Sequence, residues 1–281
     1  MGIDIDPGDY ATRVGCPAPR GATLAPVRVR VVSDVHGAVS RLRAAARECD
    51  VLMVLGDLIN VIDYRTMDGI LVDVFGREPV AEAARLRARG RYSDARATLR
   101  RQAGDETDVR GRFADLARRQ YERVLAELPD GSVVTYGNVD VPDLLRSLLP
   151  DGVRFVDGEV LELAGLRWGI VGGGVRTALG IPGEVDDETW RAKLEALGPV
   201  DVVGTHMPPR IPWFCYDTVA RKFEPGSTPL LAYIREHAPR YSLFGHVHQP
   251  MVGTAPVWRT ELVNVGHFRA DGGGWTHDGP D

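Results

Sequence analysis

Apolar residues fall in short solid blocks, most of them ended by glycine, aspartate or proline. VRVRVV (27–32) alternates and then becomes wholly apolar, the pattern of a strand, and SDVHG breaks it. SRLRAAAREC (40–49) has helical composition, with Ser40 as its expected N-cap. VLMVL (51–55) has no polar position, as in a strand buried on both faces, and GDLIN ends it. Strand, helix and strand at this spacing predict a βαβ unit and a parallel sheet. Val133-Val134-Thr135 is a further strand, running into Gly137-Asn138. After it come five strand-like pieces, RFVDGEVLEL, LRWGIVGGG, VDVVGTH, YSLFGHVH and TELVNVG. DETWRAKLEAL (187–197) and STPLLAYIREH (227–237) are the helices expected among them. The fold class is α/β.

Residues 78–128 break this rhythm. They are rich in Ala, Arg, Leu and Glu and predict helices over about 79–89, 93–102 and 108–128, punctuated by Gly90 and Gly104. Lying between two strands, they are expected to form an inserted helical cap over about 63–130. From Arg77 to Asp130 there are 13 Arg and 10 acidic residues, a net +3 in a chain whose net charge is -5. The ordinary reading is solvated helix faces; the sharper one is a cap whose arginines contact an anionic substrate. Pro7, Pro17, Pro19 and Pro26 mark residues 1–26 as an irregular arm. Residues 27–270 are expected to form the main domain, and 271–281 a flexible tail.

Composition narrows the classes. With 281 residues, 44% of them hydrophobic, there is material for one large α/β domain. No apolar run approaches the ~18 residues of a membrane span. The first residues, MGIDIDPGDY, lack the basic and apolar regions of a signal peptide. Cys16, Cys49 and Cys215 are odd in number and unrelated in spacing, which argues against a disulfide framework or a thiolate zinc site. The expectation is a protein of the reduced cytoplasm, without a membrane partner. The negative net charge argues against a general nucleic-acid-coating role. Only Lys193 and Lys222 are lysines among 34 basic residues, a bias that carries no function.

The chemistry collects at strand ends. Five blocks run from apolar strand to metal-type ligand: VVSDVHG (Asp34, His36), VLGDLIN (Asp57, Asn60), TYGNVD (Asn138, Asp140), VVGTHMPP (His206) and LFGHVHQP (His246, His248). Ligands of α/β sheets bind at the carboxyl ends of strands. A lone histidine there is more often structural, but five such blocks in one chain point to a single mixed N/O site for divalent ions. In Asp34-Val35-His36 and His246-Val247-His248 an extended backbone would aim alternate side chains the same way. Gly56, Gly137, Gly204 and Gly245 sit just before ligands and permit close backbone approach. His237, His267 and His277 fall outside these blocks and read as surface or structural residues.

These motifs resemble the calcineurin-like metallophosphoesterase superfamily, whose pattern is D-x-H, G-D-x-x-D/N, G-N-H-D/E, a lone H, and G-H-x-H. The resemblance covers about residues 27–268 and implies a two-sheet α/β sandwich with flanking helices. It also implies two divalent ions, Mn²⁺ foremost, with Fe, Zn or Ni as alternatives. Asp34, His36, Asp57 and His248 would hold the first ion, and Asp57, Asn138, His206 and His246 the second. Asp57 would bridge them, and a metal-bridging hydroxide would attack phosphorus. Asp57, Asn138 and His206 would thereby carry the catalysis, with Asn60 and Asp140 standing just behind the ligands.

One position departs from the pattern. Val139 stands where the superfamily often has a histidine acting on the leaving group or the phosphate. General acid–base help is worth ~10²–10⁴-fold, so its absence favours a substrate whose leaving group needs little protonation. THMPPRIP and the segment up to Gly245-His246-Val247-His248 also resemble the class III cyclic-nucleotide phosphodiesterase branch. The expected function is therefore a dinuclear metal phosphodiesterase on a phosphate ester, nucleotide-like in kind. A phosphomonoesterase is the alternative; a nuclease and a catalytically silent metal-binding scaffold rank lower. Trp213 and Phe214 read either as a stacking surface or as packing. Oligomeric state is left open.

Overall fold

The computed structural model describes residues 27–103, 106–177 and 181–280; the N-terminal arm read over 1–26 lies outside them. The chain begins with β1 (Arg28–Val32), α1 (Val39–Ala46) and β2 (Val51–Leu55), then α2 (Ile70–Phe75), α3 (Arg77–Ala88), α4 (Tyr92–Ala103) and α5 (Glu106–Leu125). It continues through β3 (Val133–Thr135), α6 (Pro142–Ser147), β4 (Arg154–Phe155), β5 (Glu159–Leu163), β6 (Leu166–Val171), β7 (Gly174–Val175) and β8 (Glu184–Val185). Then come α7 (Asp187–Leu197), β9 (Val202–Thr205), α8 (Pro212–Cys215), β10 (Tyr216–Asp217), β11 (Lys222–Phe223) and α9 (Thr228–His237). The end is β12 (Tyr241–Phe244), β13 (Thr254–Val257), β14 (Thr260–Asn264), α10 (Phe268–Asp271) and β15 (Trp275–Asp278).

Two large sheets face each other, ordered β15-β1-β2-β3-β4 and β13-β14-β12-β9-β6-β5. Between them, Val29, Val31, Met53, Leu55 and Val133 meet Trp168, Ile170, Val202, Leu243 and Val263. The other faces are covered by helices. Leu52 and Val54 pack with Leu42 of α1 and with Ala117, Tyr121 and Val124 of α5. Val203 and Phe244 pack with Trp190 and Leu194 of α7 and Leu230 and Ile234 of α9. The expected two-sheet α/β sandwich is thus what the chain forms, and β2 is apolar throughout because it has covered neighbours on both faces.

Three expectations need correction. Residues 275–278 are not part of a loose tail: β15 pairs antiparallel with β1, and Trp275 lies edge-on to Trp168. The Gly272-Gly273-Gly274 run reads as flexible in sequence, but the aromatic strand behind it closes a sheet edge. Ser40 is not the N-cap of α1; that position is Ala38, whose side chain makes no cap bond, because the helix starts directly from the turn at Gly37. The inserted cap over about 63–130 is not one unit. Its last helix, α5, is part of the main core, while α3 and α4 share a small cluster of Ala83, Leu86, Ala95 and Leu99. Arg85 of α3 pairs locally with Glu82, and Arg91, just before α4, with Asp94, as on solvated helix surfaces.

The start of α9 also fixes the loop after β9. Ser227 accepts a hydrogen bond from Leu230 N (3.1 Å), and its own N–H donates to the Pro208 carbonyl (2.8 Å). Ser227 is fully buried. Ser227→Ala should lower stability by about 1 kcal/mol, which thermal unfolding would register as a drop of roughly 2–4 °C.

Candidate metal centre

β1, β2 and β3 run parallel, as do β9 and β12, and their carboxyl ends meet at one end of the sandwich. Asp34 and His36 follow β1, Asp57 follows β2, Asn138 follows β3, His206 follows β9, and His246 and His248 follow β12. Backbone bonds tie these loops together. His36 N donates to the Asp57 carbonyl (2.9 Å), Gly245 N to the His206 carbonyl (3.0 Å), and His246 N to Asp34 Oδ2 (2.9 Å).

The seven side chains form two groups sharing Asp57. In the first, His248 Nε2 lies 3.3 Å from His36 Nε2 and 3.3 Å from Asp34 Oδ1, and His36 Nε2 lies 3.8 Å from Asp57 Oδ2. In the second, Asn138 Oδ1 lies 2.9 Å from His206 Nε2 and 3.0 Å from His246 Nδ1, and His206 Nε2 lies 3.4 Å from Asp57 Oδ1. Ligand atoms about 2.1 Å from one ion stand roughly 3.0–3.4 Å apart when adjacent and about 4.2 Å apart when opposite, so the separations in both groups are close to those of a coordination sphere.

The proton positions point the same way. His206 Nδ1 faces the Leu55 carbonyl (3.2 Å) and His36 Nδ1 faces the Ile59 carbonyl (3.2 Å). A carbonyl only accepts, so in the neutral rings Nδ1 carries the proton and Nε2 a lone pair. The lone pair of His206 then faces the amide oxygen of Asn138, a repulsion that a cation between them removes. Protonating His206 instead is opposed by burial, which pulls its pKa down. The residues present fit divalent ions.

The backbone at these ligands is unusual. Asp34, His36, Asp57 and His246 have φ of 58°, 41°, 52° and 68°, in the left-handed region that non-glycine residues enter rarely. Such conformations cost about 1–3 kcal/mol each and persist where the surroundings impose them. The extended geometry expected for Asp34-Val35-His36 and His246-Val247-His248 is therefore absent: left-handed turns, not strand alternation, aim the side chains. Val35 and Val247 are nonetheless buried between them. Gly245 is obligatory, since a Cβ there would run into Ser33 and Asp34.

The sequence model of calcineurin-like phosphoesterases matches residues 27–250. The chain belongs to that family. The phosphoesterase is accordingly a metal-dependent phosphoric ester hydrolase. No curated protein matches it. Solved structures similar to it include TT1561 of Thermus thermophilus, at 11% identity and TM-score 0.45, covering 90% of this chain and 99% of that one. A second is a conserved uncharacterized protein of Streptococcus pneumoniae, a predicted phosphoesterase, at 12% identity, TM-score 0.30 and coverage of 87% and 74%. A third is the purple acid phosphatase PPD1 of yellow lupin, at 13% identity, TM-score 0.39 and coverage of 94% and 47%.

Electrostatics of the phosphoesterase site follow from burial. Burial, with the nearby Asp34 and Asp140 carboxylates, pushes the Asp57 carboxyl up to about 8, against the pull of His36. Burial works against ionisation of Asp34 too, but the His248 and His36 rings beside its carboxyl outweigh it and hold it well below the usual range. Burial, above all, brings His246 down to about 3, leaving it neutral.

Behind the ligands, Asp140 accepts from Gly137 N (2.8 Å), Leu58 N (3.1 Å) and the Tyr121 hydroxyl (3.0 Å). Asp140 thus clamps the loops that carry Asp57 and Asn138. Tyr121 comes from α5 and was not singled out by sequence; its only signal was a place on the apolar stripe with Ala117, Val124 and Leu128. Asn60 N donates to Gln120 Oε1 (2.7 Å), and the Asn60 amide donates to Asp68 Oδ1 (2.9 Å). A cavity of about 240 Å³ opens beside His36, lined among others by Asn60, Asp68, Gln120, Arg123 and Arg269. Phe214 is buried against Phe244, whereas Trp213 remains exposed. Cys49 and Cys215 are free. Among the described residues, no helix is long and apolar enough to cross a membrane.

Of the three histidines read as surface or structural, His267 is the one placed beside the candidate ligands. It is 3% exposed, stacks on His248 with ring centroids 3.7 Å apart, and belongs to a potential ligand group with His36 and His248. The signal was present: TELVNV-Gly266-His267 repeats the strand, glycine and ligand order of the other blocks.

Proposed function

We propose that the protein is a dinuclear metal phosphodiesterase. The observation carrying this reading is a pair of ligand groups that share Asp57, beside a valine at 139. Asp34, His36, Asp57 and His248 would hold one ion, and Asp57, Asn138, His206 and His246 the other. Mn, Fe and Zn ions suit this mixed nitrogen and oxygen donor set. When bound, two such ions supply an activated water near neutral pH and neutralise phosphoryl charge during in-line displacement.

The chain's own groups set the rest. Asp57 directs one carboxylate oxygen at each group, so its negative charge offsets repulsion between the cations. Asn138 contributes a neutral oxygen and leaves more positive charge for the substrate. The Leu55 and Ile59 carbonyls hold His206 and His36 in orientation and tautomer. Val139 acts only through its backbone, donating its N–H to Asp57 Oδ1 (3.1 Å). With no imidazole at 139, a diester with an acidic leaving group is hydrolysed more readily than an alkyl monoester. The likeness of residues 206–250 to class III phosphodiesterases supports a nucleotide-like diester.

The test is hydrolysis of bis-p-nitrophenyl phosphate and p-nitrophenyl phosphate side by side, on metal-stripped and Mn²⁺-reloaded protein. Activity should vanish on stripping, return on reloading, and favour the diester. Preference for the monoester would overturn the diesterase reading. Val139→His should raise monoester hydrolysis, by up to about 10²-fold if it restores general acid help. An unchanged rate would place the proton source elsewhere.

A further inference from the structure

We propose that the cavity beside His36 is the subsite for a hydroxylated arm of the diester, a sugar or other polyol with neighbouring hydroxyls, and that Arg123 and Asp73 select it. The inference rests on the phosphodiesterase reading and deepens it, by naming what one side of the phosphate carries.

The first observation is position and size. The cavity measures about 240 Å³ and has His36 in its wall, so what enters it lies next to a phosphate held at the metal centre. Sites for whole small molecules run from about 300 to 1,000 Å³. There is room here for one sugar or glycerol unit, not for a sugar and a base together. The second is the character of the wall. Ligand pockets are lined mainly by apolar and aromatic side chains. Among the described residues that line this one, Val39 has the one apolar side chain, and His36 the one ring. Such a surface suits hydroxyls better than a stacked base.

The third observation is which polar groups are spare. Much of the wall is already paired. Arg269 donates to the His36 carbonyl (2.7 Å) and to both carboxylate oxygens of Asp68 (3.1 Å each). Gln120 and Asp68 take the backbone and side-chain N–H groups of Asn60. Three groups are left over. Asn60 is 6% exposed, and its Oδ1 has no donor. Arg123 of α5, on the exposed rim, makes no hydrogen bond or ion pair among the described residues. Glu127, one turn further along, is taken by Arg43. Asp73 of α2 stands on the same rim; Arg112 bonds to its carbonyl (3.0 Å), and its carboxylate has no partner among the described residues. Arg123 and Asp73 thus share a cavity without meeting. A hydroxyl both donates and accepts. Two neighbouring hydroxyls can accept from Arg123 and donate to Asp73 and Asn60. An anionic arm would face Asp68 and Asp73, and a cationic one Arg123 and Arg269; a neutral polyol is repelled by neither pair.

Matched p-nitrophenyl diesters on Mn²⁺-loaded protein test this: the glycerol ester against the propyl ester, and the uridine 5′-ester against its 2′,3′-dideoxy form. The leaving group is the same throughout, so ratios of kcat/KM within a pair report the hydroxyls. Wild type should prefer the hydroxylated member of at least one pair by about tenfold or more, the size of one or two hydrogen bonds to charged groups. A preference in the uridine pair assigns ribose; one in the glycerol pair alone assigns a short polyol. Arg123→Ala and Asp73→Ala should each bring that ratio down towards one, chiefly through a higher KM for the hydroxylated ester. Wild-type ratios near one in both pairs, or a preference that both variants keep while losing activity on all esters alike, would overturn the subsite alone. Protein that cleaves none of the diesters would overturn the diesterase reading together with it.

Discussion

Asp57→Asn is expected to reduce bis-p-nitrophenyl phosphate hydrolysis by more than about 10³-fold and to empty both metal positions on dialysis. The reasoning is geometric. Asp57 has oxygens toward both groups, Oδ2 toward His36 and Oδ1 toward His206. Residues that merely orient metal ligands already cost 10–100-fold when changed, and a shared ligand must cost more. An amide keeps the shape but brings a neutral oxygen and an N–H. One of the two directions then offers a donor to a cation, and the repulsion between cations loses its counter-charge. The carboxyl at 57 is also the one that burial pushes up to about 8, so its ionised form depends on nearby positive charge. Metal analysis after dialysis separates this from a simple catalytic loss. A variant retaining two ions and substantial activity would refute the bridging role.

The second large effect is on stability. Asp140→Leu should destabilise the protein by on the order of 4 kcal/mol, because it strands Gly137 N, Leu58 N and the Tyr121 hydroxyl in a fully buried place. Each stranded donor costs about 1–3 kcal/mol. For a chain of this size that corresponds to a fall in Tm of roughly 10 °C. Tyr121→Phe removes one donor and leaves Val141 N without the hydroxyl it now donates to (2.8 Å), so a smaller loss of about 1–2 kcal/mol is expected. Thermal unfolding of both variants checks the order. If Asp140→Leu melted within a degree or two of wild type, the clamp would have no energetic weight.

The clamp also shows how the site and the inserted helices depend on each other. Asp140 is a neighbour of Asn138 in sequence, whereas Tyr121 belongs to a helix whose sequence shows only composition and an apolar stripe. Residues 78–128 were legible as helices because their period is local. That α5 seals one face of a sheet while α3 and α4 stand apart was not legible, since burial of Ala117, Tyr121 and Val124 is decided by what lies opposite. The same holds for β15. A strand of four residues behind three glycines has too little pattern to announce itself, and only pairing with β1 stabilises it.

The sequence by itself determined the strand blocks, the α/β class, and the seven side chains that come together, because strand period and ligand chemistry are both local properties. It also determined Val139, the departure that turns the reading toward diesters. Only the tertiary structure decided how the ligands are aimed, through left-handed backbone at Asp34, His36, Asp57 and His246, since those conformations are imposed by bonds between loops distant in sequence. It alone brought His267 against His248, across a separation that no spacing rule covers. Chemistry can be read from residue types, but convergence depends on which strand ends the packing of two sheets brings together.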